Sequence, residues 1–128
     1  MEYRTDSMLL TVRTDHIVEI TTPKDWTGAD NLEQAKQNVA LMCQVMKGKG
    51  MGTLAYMPST YIDKEVLEYY NSHESGEIAT ALLTTSFASK IIGNLVLKLS
   101  RSNTSPIKIF TRRDKAEAWL LEQIAKHH

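Results

Sequence analysis

The sequence predicts an α/β fold: an N-terminal β-hairpin followed by βαβαβα, in a mixed, mainly parallel sheet with helices. Two observations predict it. Short β-branched and apolar runs alternate with segments of helical periodicity, in the order β-β-α-β-α-β-α-β-α. The chain has 128 residues, which is the usual length of one domain. We therefore expect a single domain over residues 1–128.

A hairpin opens the predicted fold. Residues 8–12 and 17–20 are rich in β-branched and large apolar side chains. The polar residues 13–16 between them are typical of a turn. These three segments predict two adjacent antiparallel strands.

The next element is a helix over residues 31–47. Thr27 and Asp30 match a capping box at its start, and Gly48 or Gly50 can end it. Its apolar side chains recur at three- and four-residue steps, which predicts one buried face. That face comprises Leu32, Ala35, Val39, Met42, Cys43 and Met46.

Strands and helices then alternate to the end of the chain. Helices between successive strands predict parallel pairing with right-handed crossovers. The final helix has the apolar face Ala116, Trp119, Leu120 and Ile124. The predicted elements are a strand at 51–57, a helix from Thr60 to about His73, a strand at 78–83, a helix at 87–99, a strand at 106–110 and a helix that opens with the capping box Thr111–Asp114.

Composition restricts the partners and the compartment. Fifteen basic and fifteen acidic residues cancel, so no overall field favours nucleic acid. Cys43 is the single cysteine, which fits a reducing setting. The N-terminus does not resemble a secretory signal, and no apolar run approaches the length of a membrane span. We expect a cytoplasmic protein without a membrane span.

The residue types that carry chemistry are not arranged as a catalytic or cofactor site. The histidines are scattered, Cys43 lies within an apolar helical face, and neither Ser59 nor Ser86 lies in a nucleophile-elbow pattern. The glycine-rich run 47–52 follows a helix, whereas a phosphate loop precedes one. We therefore expect no metal, no cofactor and no enzymatic activity.

Hydroxyl clusters follow two of the predicted parallel strands. The carboxyl ends of parallel strands line the usual binding crevice, so both clusters are expected at one rim. The alternative is that Thr60 and Thr85 or Ser86 only cap helices. The candidate residues for binding a partner or ligand are Ser59, Thr60, Tyr61, Thr84, Thr85 and Ser86, together with Lys90 and Asn94 from the following helix.

The predicted helix 87–99 is apolar over more of its circumference than one core contact requires. The surplus suggests a second contact with a protein partner, a second copy in a homodimer, or an apolar, lipid-like ligand. The alternative is that the hairpin or a neighbouring helix covers it.

Toward the end of the chain, four stretches carry a resemblance to a known family: Leu82–Ser86, Ile92–Leu95 with Leu97–Leu99, Pro106–Thr111 and Glu117–Leu120. The resemblance is to the STAS (SpoIIAA-like) domains of bacteria, and the rest of the chain shares it in element order. It implies the fold of anti-sigma-factor antagonists, in which a serine after a central strand is phosphorylated. Ser59 and Thr60 match those hydroxyl positions, but Pro58 replaces the preceding Asp and no Gly follows.

Two functions from different classes follow from the sequence. The first is a non-enzymatic regulatory module that binds a protein through the Ser59 rim and helix 87–99, with helices covering one main face of the sheet. The second is a carrier or sensor of a small apolar or lipid-like ligand. A hydrolase using Ser86 or Ser59 is the third alternative, and no base can be named for it.

Overall fold

The computed structural model of the chain describes residues 1–26, 31–56, 65–66, 68–69, 76–84 and 106–127. Several predictions fall outside these ranges, among them the helix at 87–99. The predicted site and cap residues outside the described part are Thr27, Asp30, Ser59, Thr60, Tyr61, Thr85, Ser86, Lys90 and Asn94.

A six-stranded mixed sheet forms the centre of the described structure, and its strands lie side by side in chain order. The first three strands pair antiparallel, and the third to sixth pair parallel. This confirms the predicted α/β class, the hairpin and the mixed sheet. The strands are β1 (Glu2–Arg4), β2 (Leu9–Val12), β3 (Ile17–Thr21), β4 (Gly52–Tyr56), β5 (Ala79–Leu83) and β6 (Ile107–Phe110).

Two helices pack on this sheet, α1 (Leu32–Met46) and α2 (Arg113–His127). Glu65, Val66, Glu68 and Tyr69 are also helical, in agreement with the helix predicted from Thr60 to about His73. Val66 is buried.

The start of α1 differs from the prediction. Asn31 is the N-cap, because its backbone is extended and its side-chain oxygen accepts a hydrogen bond from the Gln34 N–H at 2.9 Å. The predicted Thr27 cap is therefore wrong. The end of α1 is as predicted: Gly48 has a φ of 77°, and the Lys49 N–H closes the turn onto the Met46 carbonyl at 3.1 Å.

The start of α2 also differs from the predicted capping box. The Arg112 carbonyl accepts the first helical hydrogen bond, from the Ala116 N–H at 3.2 Å, so Arg112 holds the N-cap position instead of Thr111. The Asp114 carboxylate pairs with the Arg112 guanidinium at 2.9 Å. The Asp114 carboxylate, which in the predicted capping box would accept from the Thr111 N–H, is therefore paired with Arg112 instead.

Helix α1 covers one face of the sheet. Val45 and Met46 pack against Met8, Leu10 and Val18 in a buried cluster. Of the predicted inner face, Ala35, Val39 and Met46 are buried, whereas Leu32, Met42 and Cys43 are half-buried. Asn38 is buried as well, where the periodicity of apolar residues gave no signal.

Helix α2 covers the opposite face, over the parallel strands. Ala116, Leu120 and Ile124 pack against a core that includes Ile17 and Leu54. Ile17 and Val18 are neighbours in β3 and pack in different clusters, as expected when successive side chains of a strand point to opposite faces. The expectation that helices cover one main face is therefore wrong for α2. The handedness rule governs crossovers between parallel strands, and α2 follows the last strand.

Candidate functional site

The carboxyl ends of the parallel strands meet at one edge of the sheet. Tyr56 is paired with Leu83, and Leu83 with Phe110, so β4, β5 and β6 end on the same rung. The segment that contains Ser59 begins after Tyr56, and the segment with Thr85 and Ser86 begins after Thr84. The two hydroxyl-bearing segments therefore leave the sheet from adjacent strands at the same edge, which we call the carboxyl edge.

Thr84 is the predicted binding residue that lies in the described part of the chain. It is 3 % exposed. Its N–H donates to the Phe110 carbonyl at 2.9 Å, and its hydroxyl reaches the same oxygen at 3.4 Å. Thr84 therefore closes the end of the β5–β6 ladder, and its side chain does not face solvent.

Next to the carboxyl edge, arginine and glutamate side chains from β3, from the turn before it and from α2 form an ion-pair cluster. We call Arg13, Glu19, Arg113 and Glu117 the arginine–glutamate cluster. The Arg113 Nε lies 2.6 Å from a Glu117 oxygen, and the Arg13 Nη1 lies 3.4 Å from the same oxygen. Glu19 is in contact with both Arg13, at 3.6 Å, and Arg113. The cluster thus joins α2 to β3 and to the turn before it.

Tyr56 connects this cluster to the carboxyl edge. The Arg113 Nη1 donates to the Tyr56 hydroxyl at 2.6 Å, and the guanidinium carbon lies 6.0 Å from the centre of the tyrosine ring. Asp15 adds a third anion for Arg13, after Glu117 and Glu19, at 2.7 Å. Each of the cluster's charges therefore has an opposite charge beside it.

The electrostatics of the cluster favour the charged forms of Glu117 and Arg113. The hydrogen bond from Arg113, assisted by the charge of Arg13, lowers the pKa of Glu117 although burial opposes this. The hydrogen bond to Glu117 raises the pKa of Arg113. A general acid working near neutrality needs the opposite shift, a raised carboxyl pKa. The arrangement is suited to joining elements of the fold.

The other side of α2 has a different chemistry. The rings of Phe110 and Trp119 lie 5.7 Å apart with an interplanar angle of 47°. The Lys108 Nζ lies 5.5 Å from the centre of the Phe110 ring, within cation–π range. Both rings are half-buried and pack against the core under α2. We call Lys108, Phe110, Lys115 and Trp119 the β6 flank, because it lies where α2 meets β6.

A protein-family model matches residues 11–124 of the chain. The family is described as a domain of unknown function, DUF7793. The chain belongs to the DUF7793 family. The matched range begins within β2 and contains β3 to β6, α1 and most of α2. No curated protein and no solved structure matches the chain.

In the described part of this DUF7793 protein, no three His, Cys, Asp or Glu residues are grouped as a metal site requires. None of the helices described for it combines the length and the apolar composition of a membrane-crossing helix.

The cluster of this DUF7793 protein was not predicted from the sequence. A glutamate at the position of Glu117 is ordinary on a solvated helix face, so the sequence by itself gives it no special role. The spacing of Arg113 and Glu117, four residues apart in a predicted helix, is the one signal that indicates an ion pair. No local pattern connects Arg13 or Glu19 with the last helix, because those contacts exist only once the sheet has formed.

Proposed function

We propose that this DUF7793 protein is a non-enzymatic regulatory module that binds a protein partner at the carboxyl edge of its sheet, as STAS-like anti-sigma-factor antagonists do. The observation that carries the proposal is the shared rung of Tyr56, Leu83 and Phe110. Because of this register, the segment with Ser59 and the segment with Ser86 begin at adjacent strand ends. A partner can therefore contact both polar segments at once.

The strand order supports the same proposal. An antiparallel hairpin leads into parallel strands that follow one another in chain order, β3 to β6. This agrees with the element order on which the STAS resemblance rests. The proposed docking surface also includes the predicted helix 87–99, with its surplus of apolar residues.

The arginine–glutamate cluster supports a binding role over an acid–base role. Its carboxylates and guanidinium groups neutralise one another at the side of the carboxyl edge. Through the Tyr56 hydroxyl, Arg113 fixes the first turn of α2 relative to the end of β4. A rigid edge of this kind favours binding, because less conformational freedom is lost when a partner docks.

Site-specific photo-cross-linking tests the proposed docking edge. A photoreactive amino acid replaces Tyr61 in one variant, and Lys36, an exposed residue of α1, in the matched control. In extracts of the native host we expect one discrete protein adduct at position 61 and none at position 36. Equal adducts at both positions, or none at either, would contradict the proposal.

A separate measurement tests the alternative function, a carrier of an apolar or lipid-like ligand. Native mass spectrometry of gently purified protein reports a bound small mass if the chain is a carrier.

For a module regulated at Ser59, Ser59→Asp should weaken the adduct at position 61 and Ser59→Ala should not. This follows because a phosphate-like charge at a docking edge changes the electrostatic complementarity with the partner.

A further inference from the structure

The two sides of α2 differ in how their charges are compensated. On the side of β3, Arg13 and Arg113 are paired with carboxylates. On the side of β6, Lys108 and Lys115 are exposed, and neither pairs with a carboxylate among the residues that the structure describes. The chain as a whole carries no net charge. The β6 flank therefore carries two positive charges, Lys108 on β6 and Lys115 on α2, without a carboxylate partner among the described residues.

Aromatic rings lie between these two lysines. Lys108 is above Phe110, Phe110 is 5.7 Å from Trp119, and Lys115 precedes Trp119 by one helical turn. Other charged residues at the start and the end of α2 are paired with one another: Arg112 with Asp114, and Lys126 with Glu122. Within the described part of the chain they leave the positive charge of Lys108 and Lys115 uncompensated. Aromatic residues are enriched where proteins bind proteins, since they offer a large contact area and have little conformational entropy to lose.

We propose that the β6 flank binds an acidic segment of a partner protein. An apolar or aromatic side chain of that segment would contact the Phe110 and Trp119 rings, and flanking Asp or Glu residues would pair with Lys108 and Lys115. Charge complementarity selects an acidic partner over a neutral or basic one. Within the described sheet β6 is the last strand, so its side of the sheet is where an extended segment can approach.

This inference extends the proposed function, since it assumes a protein partner, but it names a different surface and a different chemistry. Its test uses purified protein with synthetic probes and needs no native partner. Cross-linking at position 61 and binding at the β6 flank can therefore succeed or fail independently.

The experiment measures binding of three probes to the full chain carrying Trp26→Phe, so that Trp119 is the only tryptophan. The probes are a short peptide of Asp and Glu around a central Leu-Phe pair, the same peptide with Lys in place of the acids, and a single-stranded DNA oligonucleotide. Trp119 fluorescence and the amide NMR signals of residues 107–119 report contact. We expect the acidic peptide to change both and the lysine peptide to change neither.

Charge-reversal variants locate the site. Lys108→Glu with Lys115→Glu should weaken binding of the acidic peptide about tenfold or more, because each lysine is replaced by a repelling charge. Lys36→Glu, an exposed lysine on α1, is the matched control and should leave binding unchanged. All the reversed side chains are exposed, so circular dichroism should show the same fold in each variant.

Three results would overturn the inference. The first is equal binding, or no binding, of the acidic and the lysine peptides. The second is binding of the acidic peptide that survives both charge reversals. The third is tighter binding of the oligonucleotide than of the acidic peptide, which would make the flank a polyanion surface for nucleic acid.

Discussion

Arg13, in the turn after β2, and Glu117, in the second turn of α2, come from opposite ends of the chain, and their charged atoms lie 3.4 Å apart. Glu117 also accepts a hydrogen bond from Arg113 at 2.6 Å. One carboxylate therefore joins the N-terminal hairpin, through Arg13, to the N-terminal part of the last helix. Because its side chain is only 26 % exposed, solvent screens these pairs less than it screens a surface pair.

Glu117→Gln should destabilise the protein by about 1 kcal/mol at neutral pH, the upper end for a partly exposed ion pair. The substitution keeps the size of the side chain but removes the charge that faces two guanidinium groups. Denaturant unfolding measures the change. Glu122→Gln is the control: its ion pair with Lys126 is 62 % exposed on the glutamate side, so its loss should be smaller.

The pH dependence of the stability difference between wild type and Glu117→Gln gives an independent test. The folded-state pKa of Glu117 is lowered, so its charge stabilises the fold above the ordinary carboxyl pKa. That stabilisation is lost as the pH falls through the lower, folded pKa. The gap between wild type and Glu117→Gln should therefore close between about pH 5 and the acid limit of the fold. A gap that stays constant down to that limit would contradict the ion-pair interpretation.

The parallel strands of the core could be predicted from the sequence because each is a short apolar run with a break on either side. Strand β4 shows why: Gly52, Thr53 and Leu54 are buried, as expected for an uncharged central strand. Strand β1 was missed. It is only three residues long, with Tyr3 between two charged residues, and its place in the sheet depends on pairing with β2. A window so short carries no usable periodicity.

The site was predictable in part. Parallel pairing alone indicates that the segments after β4 and β5 start at one edge, and the register of Tyr56 with Leu83 confirms this. The role of Thr84 was not predictable, because a hydroxyl at a strand end has the same sequence signal whether it faces solvent or the Phe110 carbonyl. The position of α2 on the opposite face from α1 was missed for a related reason. An amphipathic helix shows that it has a buried side without showing which face of the sheet it covers.

Gly76→Ala should be strongly destabilising, by about 2 to 3 kcal/mol. Gly76 has a φ of 91°, and a methyl group there would lie 2.5 Å from the Lys47 Cα and 2.9 Å from the Lys47 N. Two backbone segments would have to separate. Denaturation midpoints measure the effect.

Gly48→Ala is the matched control for this steric argument. Gly48 also has a left-handed φ, of 77°, but nothing lies within 4 Å of the position a methyl group would take. Only the backbone cost of about 1 kcal/mol should remain. Equal losses for the two variants would show that the contact with Lys47 contributes nothing.

Asn38→Ala should cost about 2 kcal/mol, more than a typical surface polar residue. Asn38 is 2 % exposed, and its amide nitrogen donates to the Ser7 hydroxyl at 3.0 Å. The Thr5 hydroxyl contacts its carbonyl oxygen and accepts from the Met8 N–H at 3.1 Å. Removing the amide leaves the buried Ser7 hydroxyl and the half-buried Thr5 hydroxyl, both between β1 and β2, with fewer partners.

The helix cap Asn31 provides the comparison for Asn38. Its side-chain oxygen accepts a hydrogen bond from the Gln34 N–H in an exposed position, so Asn31→Ala should cost about 1 kcal/mol. Equilibrium unfolding of both variants shows which substitution causes the larger loss of stability. A smaller loss for Asn38→Ala than for Asn31→Ala would mean that water replaces the amide at the β1–β2 turn.

Leu120 and Leu121 are neighbours in α2 and test its packing directly. Leu120 is fully buried, and its Cδ2 lies 3.1 Å from where a Cβ on Gly52 would be, so the helix sits close to β4 at that point. Leu120→Ala should cost about 3 kcal/mol, because the cavity opens between a helix and a sheet that are tied together by the arginine–glutamate cluster and can close it only in part. Leu121 is 43 % exposed, so Leu121→Ala should cost less than about 0.5 kcal/mol. Thermal or denaturant unfolding of the two variants measures both losses. A larger loss for Leu121→Ala than for Leu120→Ala would contradict the packing of the Leu120 side of α2 against the sheet.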